Sequence, residues 1–122
     1  MINHYRRGWA LRYIREAKAE LLAAKKTPRL ASSLILEALR KARFAVYYSL
    51  GDPASIEMIV HKASSNGHEV KDPILKFLVE IEQMVQFFSE VPDFEYEKTI
   101  EYVSNLIQTA SDIVELFTGE KA

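Results

Sequence analysis

Four arginines surround an aromatic ridge near the start of the chain, and they are the first candidates for binding chemistry. Tyr5, Trp9 and Tyr13 are spaced i, i+4, i+8, which places their rings along one side of a helix. The arginines among them are Arg6, Arg7, Arg12 and Arg15. Guanidinium groups grip phosphates and aromatic rings stack on bases, so this pattern indicates a surface for a nucleotide or single-stranded RNA. The alternative is that the ridge packs inside the protein or in a dimer interface, with the arginines folded over it.

The histidines are candidates for acid–base or metal chemistry. His61 follows Glu57 by one helical turn, so the two side chains can share a proton or a metal ion. His68 joins them only if the loop after this helix folds back. One Glu and one His do not make a zinc site, and the chain has no HExxH pattern, so we predict no metal.

The second predicted helix adds Arg43 and Tyr48 to the candidate ligand-binding residues, together with His61 and His68. Of the adjacent Tyr47 and Tyr48, we expect one to enter the core and the other to face the loop that contains His68.

Patterns of the common catalytic and cofactor sites are missing from the sequence. The four glycines are isolated, the serines fit no nucleophile elbow, and there is no cysteine to act as a nucleophile or thiolate ligand. Glu80 and Glu82 are i, i+2 neighbours whose side chains diverge on a helix, as do Glu95 and Glu97. We therefore predict no catalytic residue and no cofactor.

Prolines preceded by capping residues divide the chain into helices. Thr27-Pro28, Asp52-Pro53 and Asp72-Pro73 each place a capping side chain before a proline suited to the first helical position. The predicted helices are Tyr5–Lys26, Pro28–Leu50, Pro53–Ser64, Pro73–Glu90 and Phe94–Thr118. The glycines expected to end helices in left-handed backbone are Gly51, Gly67 and Gly119.

A seam of small side chains identifies the second helix as the central one. Its members fall on one side of the helix and let a neighbouring helix approach closely: Ala31, Ala38, Ala42, Ala45 and Ser49. The short third helix has its own apolar stripe, formed by Ile56, Ile59, Val60 and Ala63. We predict an all-α fold in one domain, residues 1–122. The expected architecture is an antiparallel up-down four-helix bundle with a short extra helix between the second and third long helices.

Charge is divided sharply along the chain although the net charge is only -1. Eleven Lys and Arg against three acids give residues 1–51 a charge of +8, and five Lys against fourteen acids give residues 52–122 a charge of -9. Either the two halves pack together and balance each other, or the basic half attracts phosphates or an acidic partner. No apolar run approaches the roughly 20 residues of a membrane span. The N-terminus carries charges throughout, unlike a signal peptide, so we expect a cytoplasmic protein and no membrane partner.

Two segments resemble the HEPN family of small helical nucleotide-binding or RNA-processing domains. They are WALRYIREAKAELLAA, residues Trp9–Ala24, and ASSLILEALRKARFAVYYSLG, residues Ala31–Gly51. His61 also falls roughly where many members have a histidine before the third long helix. The ribonuclease branches of the family carry an Arg, four to six residues, and then a His near the last helix, and this chain has no such pair. The resemblance therefore implies a non-catalytic member, which binds a nucleotide or a separately encoded nucleotidyltransferase.

The apolar stripes of the fourth and fifth helices are wider than one helix contact needs, because they also include Phe87, Tyr102, Leu106 and Ile113. We predict that another subunit covers this surface in a homodimer; the alternative is a monomer in which the third helix and the chain ends cover it. Two other functions stay open. One is an RNA-cleaving enzyme with a non-standard set such as Arg43, His61 and His68, and the other is a purely structural dimerisation protein.

Overall fold

The computed structural model describes residues 3–65, 69–91 and 96–122, with Tyr96 described in its backbone only, and all regular structure there is helical. The helices are α1 (His4–Lys26), α2 (Ala31–Leu50), α3 (Pro53–Ser65), α4 (Pro73–Glu90) and α5 (Tyr96–Thr118), with a 3₁₀ turn at Pro28–Leu30 before α2. The all-α prediction is confirmed. The predictions for Phe94, Gly67 and His68 concern residues outside the described part of the chain.

Short polar side chains start three of the helices. Asp72 accepts a hydrogen bond from the Leu75 backbone N–H at 2.9 Å, and Asp52 accepts one from Ser55 N–H at 3.2 Å. Both predicted caps are confirmed, because they depend only on residues three positions apart. Asn3 caps α1 in the same way, a role that the sequence reasoning missed.

The junction between α1 and α2 differs from the prediction. Thr27 makes no side-chain cap, and Pro28–Leu30 form a 3₁₀ turn, so α2 begins at Ala31 and not at Pro28. The Leu30 N–H donates to the Thr27 carbonyl at 3.0 Å, which closes the tighter i, i+3 turn. The chain reverses direction within these few residues, and a tight turn does this where a continuing α-helix could not.

Two of the predicted glycine ends can be checked. Gly119 has a φ of +75°, so its left-handed backbone is confirmed. Gly51 has a φ of 174°, which is extended backbone, and that prediction is wrong. The reason is that α3 starts at Pro53, so the chain leaves α2 extended through Gly51 towards the Asp52 cap instead of folding back on the helix end.

α2 is the central helix and contacts each of the other four. The small-residue seam is buried: Ala31, Ala38, Ala42 and Ala45 are fully inaccessible and Ser49 nearly so. α1 runs antiparallel to α2, because Trp9 meets Tyr48 near one end of the pair and Glu20 meets Lys41 further along. The prediction that this seam faces neighbouring helices is confirmed.

α4 and α5 complete the surroundings of α2. Arg40 of α2 reaches Ser89 of α4 and Arg43 reaches Glu82, so α4 is also antiparallel to α2. The C-terminal end of α5 returns to the start of α1, where Arg7 pairs with Glu120. No helix in the described part of the chain is long and apolar enough to cross a bilayer.

The apolar stripes are covered unevenly. Leu106 and Ile113 of α5 are buried within the chain, whereas Phe87 and Tyr102 are 48% and 40% exposed. On α3 only Val60 is buried, so the predicted stripe that included Ile59 is not a core stripe. Exposed apolar surface therefore persists on α3, on part of α4 and at the end of α5.

Candidate functional site

The four N-terminal arginines do not form one cluster. Arg7 pairs with Glu120, and Arg15 donates to the carbonyl oxygen of Lys121 at 3.5 Å, so both lie against the C-terminal end of α5. Arg12 lies on another face and bonds Glu16 at 2.9 Å. Among the described residues, the cation that contacts the Trp9 ring is Arg12, three positions further along α1.

Arg6 lies near the C-terminal end of α2. Its Nη1 atom is buried, has no hydrogen-bond partner among the described residues, and is 3.8 Å from where a Cβ on Gly51 would lie. The C-terminus of a helix carries a partial negative charge, which stabilises a nearby guanidinium. Arg6 is thus placed to stabilise the end of α2.

The aromatic ridge is a half-buried stack between α1 and α2. The Trp9 ring centroid lies 5.5 Å from that of Tyr13 and 6.3 Å from that of Tyr48, with the planes 30° and 24° apart. The Arg12 guanidinium carbon is 5.0 Å from the Trp9 centroid. Trp9 therefore already contacts three rings and a cation, and of the three rings that of Tyr5, which meets it edge-on, is largely exposed.

The two tyrosines at the end of α2 take opposite positions. Tyr47 is fully buried, as expected for one of the pair. Tyr48 stacks on Trp9 and Tyr13 of α1, so its environment is the aromatic stack. Burial chiefly raises the pKa of the Tyr48 phenol, with smaller contributions from Tyr5 and Tyr13.

The most enclosed charged group in the described residues is the carboxylate of Glu82, on α4. Only 6% of Glu82 is exposed, and its two oxygens accept from Arg43 Nη1 at 3.1 and 3.0 Å. Tyr47 donates its hydroxyl to the same carboxylate at 3.2 Å. His61 of α3 places Nε2 3.6 Å from it. We call these four residues the Glu82 cluster.

The Glu82 cluster brings together two of the predicted site residues, Arg43 and His61, that stand eighteen positions apart in sequence. Burial first, and the negative charge of Glu82 second, raise the pKa of Tyr47 well above its ordinary value, so this phenol stays protonated. The positive charge of Arg43 is matched by the carboxylate of Glu82. The cluster is consequently a poor site for phosphate.

Metal binding is not supported at the same place. His61 Nε2 lies 3.9 Å from Glu57 as well as 3.6 Å from Glu82, so the expected approach of Glu57 and His61 is observed. Among the described residues, however, no three His, Cys, Asp or Glu side chains are arranged to hold a metal ion.

Sequence reasoning missed Glu82 and Tyr47 as members of this cluster. Glu82 was considered only with Glu80, its neighbour on the same helix. The available signal was Arg43 and Tyr47, which are i, i+4 residues beside the buried seam of α2. A cation at such a position requires a counter-charge from another helix.

A second feature is an apolar groove of about 400 Å³ at the C-terminal end of α2. Eight apolar residues from four helices line it: Leu50, Ile56, Ile59, Val60, Ile74, Leu75, Leu78 and Phe117. Its one polar lining residue is Asp72, whose Oδ1 is engaged as the cap of α4. Ile59 and Phe117 remain 52% and 40% exposed at its edge. Such a surface suits hydrophobic side chains of another molecule.

Comparison of the chain with known protein families, with curated proteins and with solved structures found no match.

Proposed function

We propose that this protein is a non-catalytic binding module that holds hydrophobic side chains of a protein partner in its apolar groove. The groove itself is the observation that carries the proposal, because its lining is apolar apart from one capping carboxylate. Its volume of about 400 Å³ lies at the lower end of the roughly 300–1,000 Å³ of ligand clefts, which is enough for a few side chains.

The Glu82 cluster argues against the RNA-cleaving alternative. Cleavage needs a cation that stabilises charge on the phosphate and a base close to the attacking hydroxyl. Arg43, the cation of that alternative, is bound to Glu82 and has only 12% of its side chain exposed. The cluster is better suited to tying α2, α3 and α4 together.

The proposal includes a bundle of the HEPN type. The four long helices would form an antiparallel up-down bundle with α3 as an insertion, supported by the antiparallel pairs α1–α2 and α2–α4 and by the buried seam of α2. Within that family the resemblance favours a nucleotidyltransferase-type partner in the cytoplasm.

Nucleotide binding at the aromatic stack is the second candidate. The observation in its favour is the contact of Arg12 with the half-buried Trp9, beside the exposed ring of Tyr5. It ranks second because Arg12 is already paired with Glu16 and the other predicted arginines lie elsewhere. Trp9, the one tryptophan of the chain, supplies the readout for the comparison.

The test is a titration with the hydrophobic dye 1-anilinonaphthalene-8-sulfonate, followed by two-dimensional amide NMR. We expect shifts concentrated at Ile59, Leu75 and Phe117, and at least about tenfold weaker binding in Ile59→Glu, because the bound dye would desolvate the new carboxylate against an apolar ring. Met58→Glu is the matched control, since Met58 is 73% exposed on the same helix and does not line the groove.

Equal binding by both variants, or shifts remote from the groove, would overturn the proposal. A parallel titration with ATP follows Trp9 emission. A change in emission that salt suppresses, without shifts at the groove, would favour the second candidate instead.

A further inference from the structure

The corner between α1 and α2, residues 22–30, is an exposed surface that is both apolar and basic. Leu22 and Leu30 are 53% and 48% exposed. Three exposed cations accompany them: Lys25, Lys26 and Arg29. No acidic residue occurs between Glu20 and Glu37, and none of the three cations is in an ion pair within the described residues. We call this surface the basic corner.

The apolar groove has the complementary character. Its lining comes from α3, the start of α4 and the end of α5, all in the acidic half of the chain, residues 52–122. Leu50 is the one lining residue from the basic half, residues 1–51. The charged side chain at its lining is the carboxylate of Asp72. Leucine side chains flanked by cations therefore match the groove in hydrophobicity, and the carboxylate of Asp72 at its lining matches the cations in sign of charge.

The two surfaces lie at opposite ends of α2 and cannot meet within one molecule. The basic corner precedes Ala31, the first residue of α2, and the groove is lined by Leu50, its last. A helix of 20 residues is roughly 30 Å long at about 1.5 Å per residue. Each molecule thus presents the basic corner at the N-terminal end of α2 and the apolar groove at its C-terminal end.

We propose that a second copy of this chain occupies the groove, inserting Leu22 and Leu30 of its basic corner while Arg29 and the two lysines face Asp72 and the acidic part. In an antiparallel pair of copies the contact is made twice, once at each end, which gives a closed two-fold dimer. The inference rests on the proposed binding role of the groove and names its occupant.

The first measurement is sedimentation equilibrium over a range of protein concentrations at low and high salt. The wild-type chain is expected to dimerise, with a dissociation constant that rises at high salt because part of the attraction is between exposed charges. Leu22→Ser with Leu30→Ser should raise the dissociation constant at least tenfold. Leu116→Ser is the matched control, since this leucine of α5 is 74% exposed and lies in neither surface.

A complementation experiment tests the pairing of corner with groove. Leu22→Glu with Leu30→Glu disables the corner, and Ile59→Glu disables the groove, so neither variant should dimerise alone. Mixed together, they keep one intact contact, and a heterodimer should form. Circular dichroism melts of each variant confirm that these exposed substitutions leave the fold intact.

A wild-type chain that stays monomeric, or a mixture that shows no heterodimer while the wild type dimerises, overturns the inference. Dye binding in the groove of a monomeric chain would leave the proposed function standing and remove only the second copy as its occupant. Because a dimer would exclude the dye from the groove, dye binding is measured on Leu22→Ser with Leu30→Ser, whose groove no second copy fills. A monomeric wild type together with no dye binding in that variant would remove both proposals.

Discussion

Two ion clusters flank α2, and they use similar chemistry in different surroundings. On the α1 side, Lys41 bonds Glu16 at 3.0 Å and also pairs with Glu20, and 21% of the lysine side chain is exposed. On the α4 side, Arg43 bonds Glu82 at 3.0 Å, with only 12% and 8% of the two side chains exposed. Lys41 thus pairs with two acids at a partly exposed site, whereas Arg43 pairs with one acid at a nearly buried site.

This difference decides what each cluster contributes. Exposed pairs are screened by water and contribute little to stability, typically about 0–1 kcal/mol. A buried pair contributes little more as a whole, because desolvation offsets the attraction, but removal of one partner leaves an unpaired charge and is costly. The α4 side should therefore be intolerant of single changes, and the α1 side tolerant.

The largest effect is expected for Glu82→Ala. It leaves Arg43 buried without its carboxylate, and Tyr47 without its acceptor, so the free energy of unfolding should fall by about 3–5 kcal/mol. Denaturant unfolding followed by circular dichroism measures this.

The matched control for that change removes both charges. Arg43→Met combined with Glu82→Leu should restore most of the lost stability, because no buried charge then remains unpaired. A loss below about 1 kcal/mol in Glu82→Ala alone would show that Arg43 turns out into water, and that the two sides of α2 are alike.

An intermediate effect is expected for Tyr47→Phe. The ring stays in the core while its hydrogen bond to Glu82 is lost, so unfolding should require about 0.5–1.5 kcal/mol less. Tyr48→Phe serves as the control, since no hydrogen bond of its hydroxyl is seen among those of the described residues. Equal losses in the two variants would mean that the bond of Tyr47 to Glu82 contributes nothing specific.

The smallest effect is expected for Lys41→Met, at about 0.2–1 kcal/mol. Glu16 accepts hydrogen bonds from Lys41 and Arg12, and these lower its pKa below 4.5, the one from Lys41 more than the one from Arg12. Glu20 and then Glu16 raise the pKa of Lys41 above 10.5. The loss in free energy of unfolding caused by Lys41→Met should therefore be largest between pH 4.5 and 10.5, where both groups are charged.

Outside that window the difference should shrink, on the acid side as Glu16 protonates and on the alkaline side as Lys41 deprotonates. Urea titrations at several pH values test this. A difference that persists unchanged at pH 2 would show that Lys41 acts through packing of its aliphatic chain instead of its charge.

The features that the sequence predicted correctly are local ones. The caps at Asp52 and Asp72 need only a carboxylate and a backbone N–H three residues on. The seam of α2 needs only helical spacing and small side chains. The extended Gly51 was missed because its conformation is set by where the next helix starts.

The site was harder to predict because its residues meet only through tertiary packing. Arg43 and His61 were named as candidates, but Glu82, which joins them, comes from a third helix. The arginine cluster failed for a related reason. Adjacent residues of a helix point about 100° apart, so Arg6 and Arg7 face different sides of α1 although they are neighbours in sequence.

The central position of α2 has a consequence for how the molecule opens. Because α2 shares contacts with every other helix, its amide hydrogens can exchange with solvent only when the whole assembly of helices comes apart. α3 buries only Val60 and is held to that centre by this residue and by the approach of His61 to Glu82, so it should open more readily than α2. Amide exchange is therefore expected to be slowest in α2 and faster in α3.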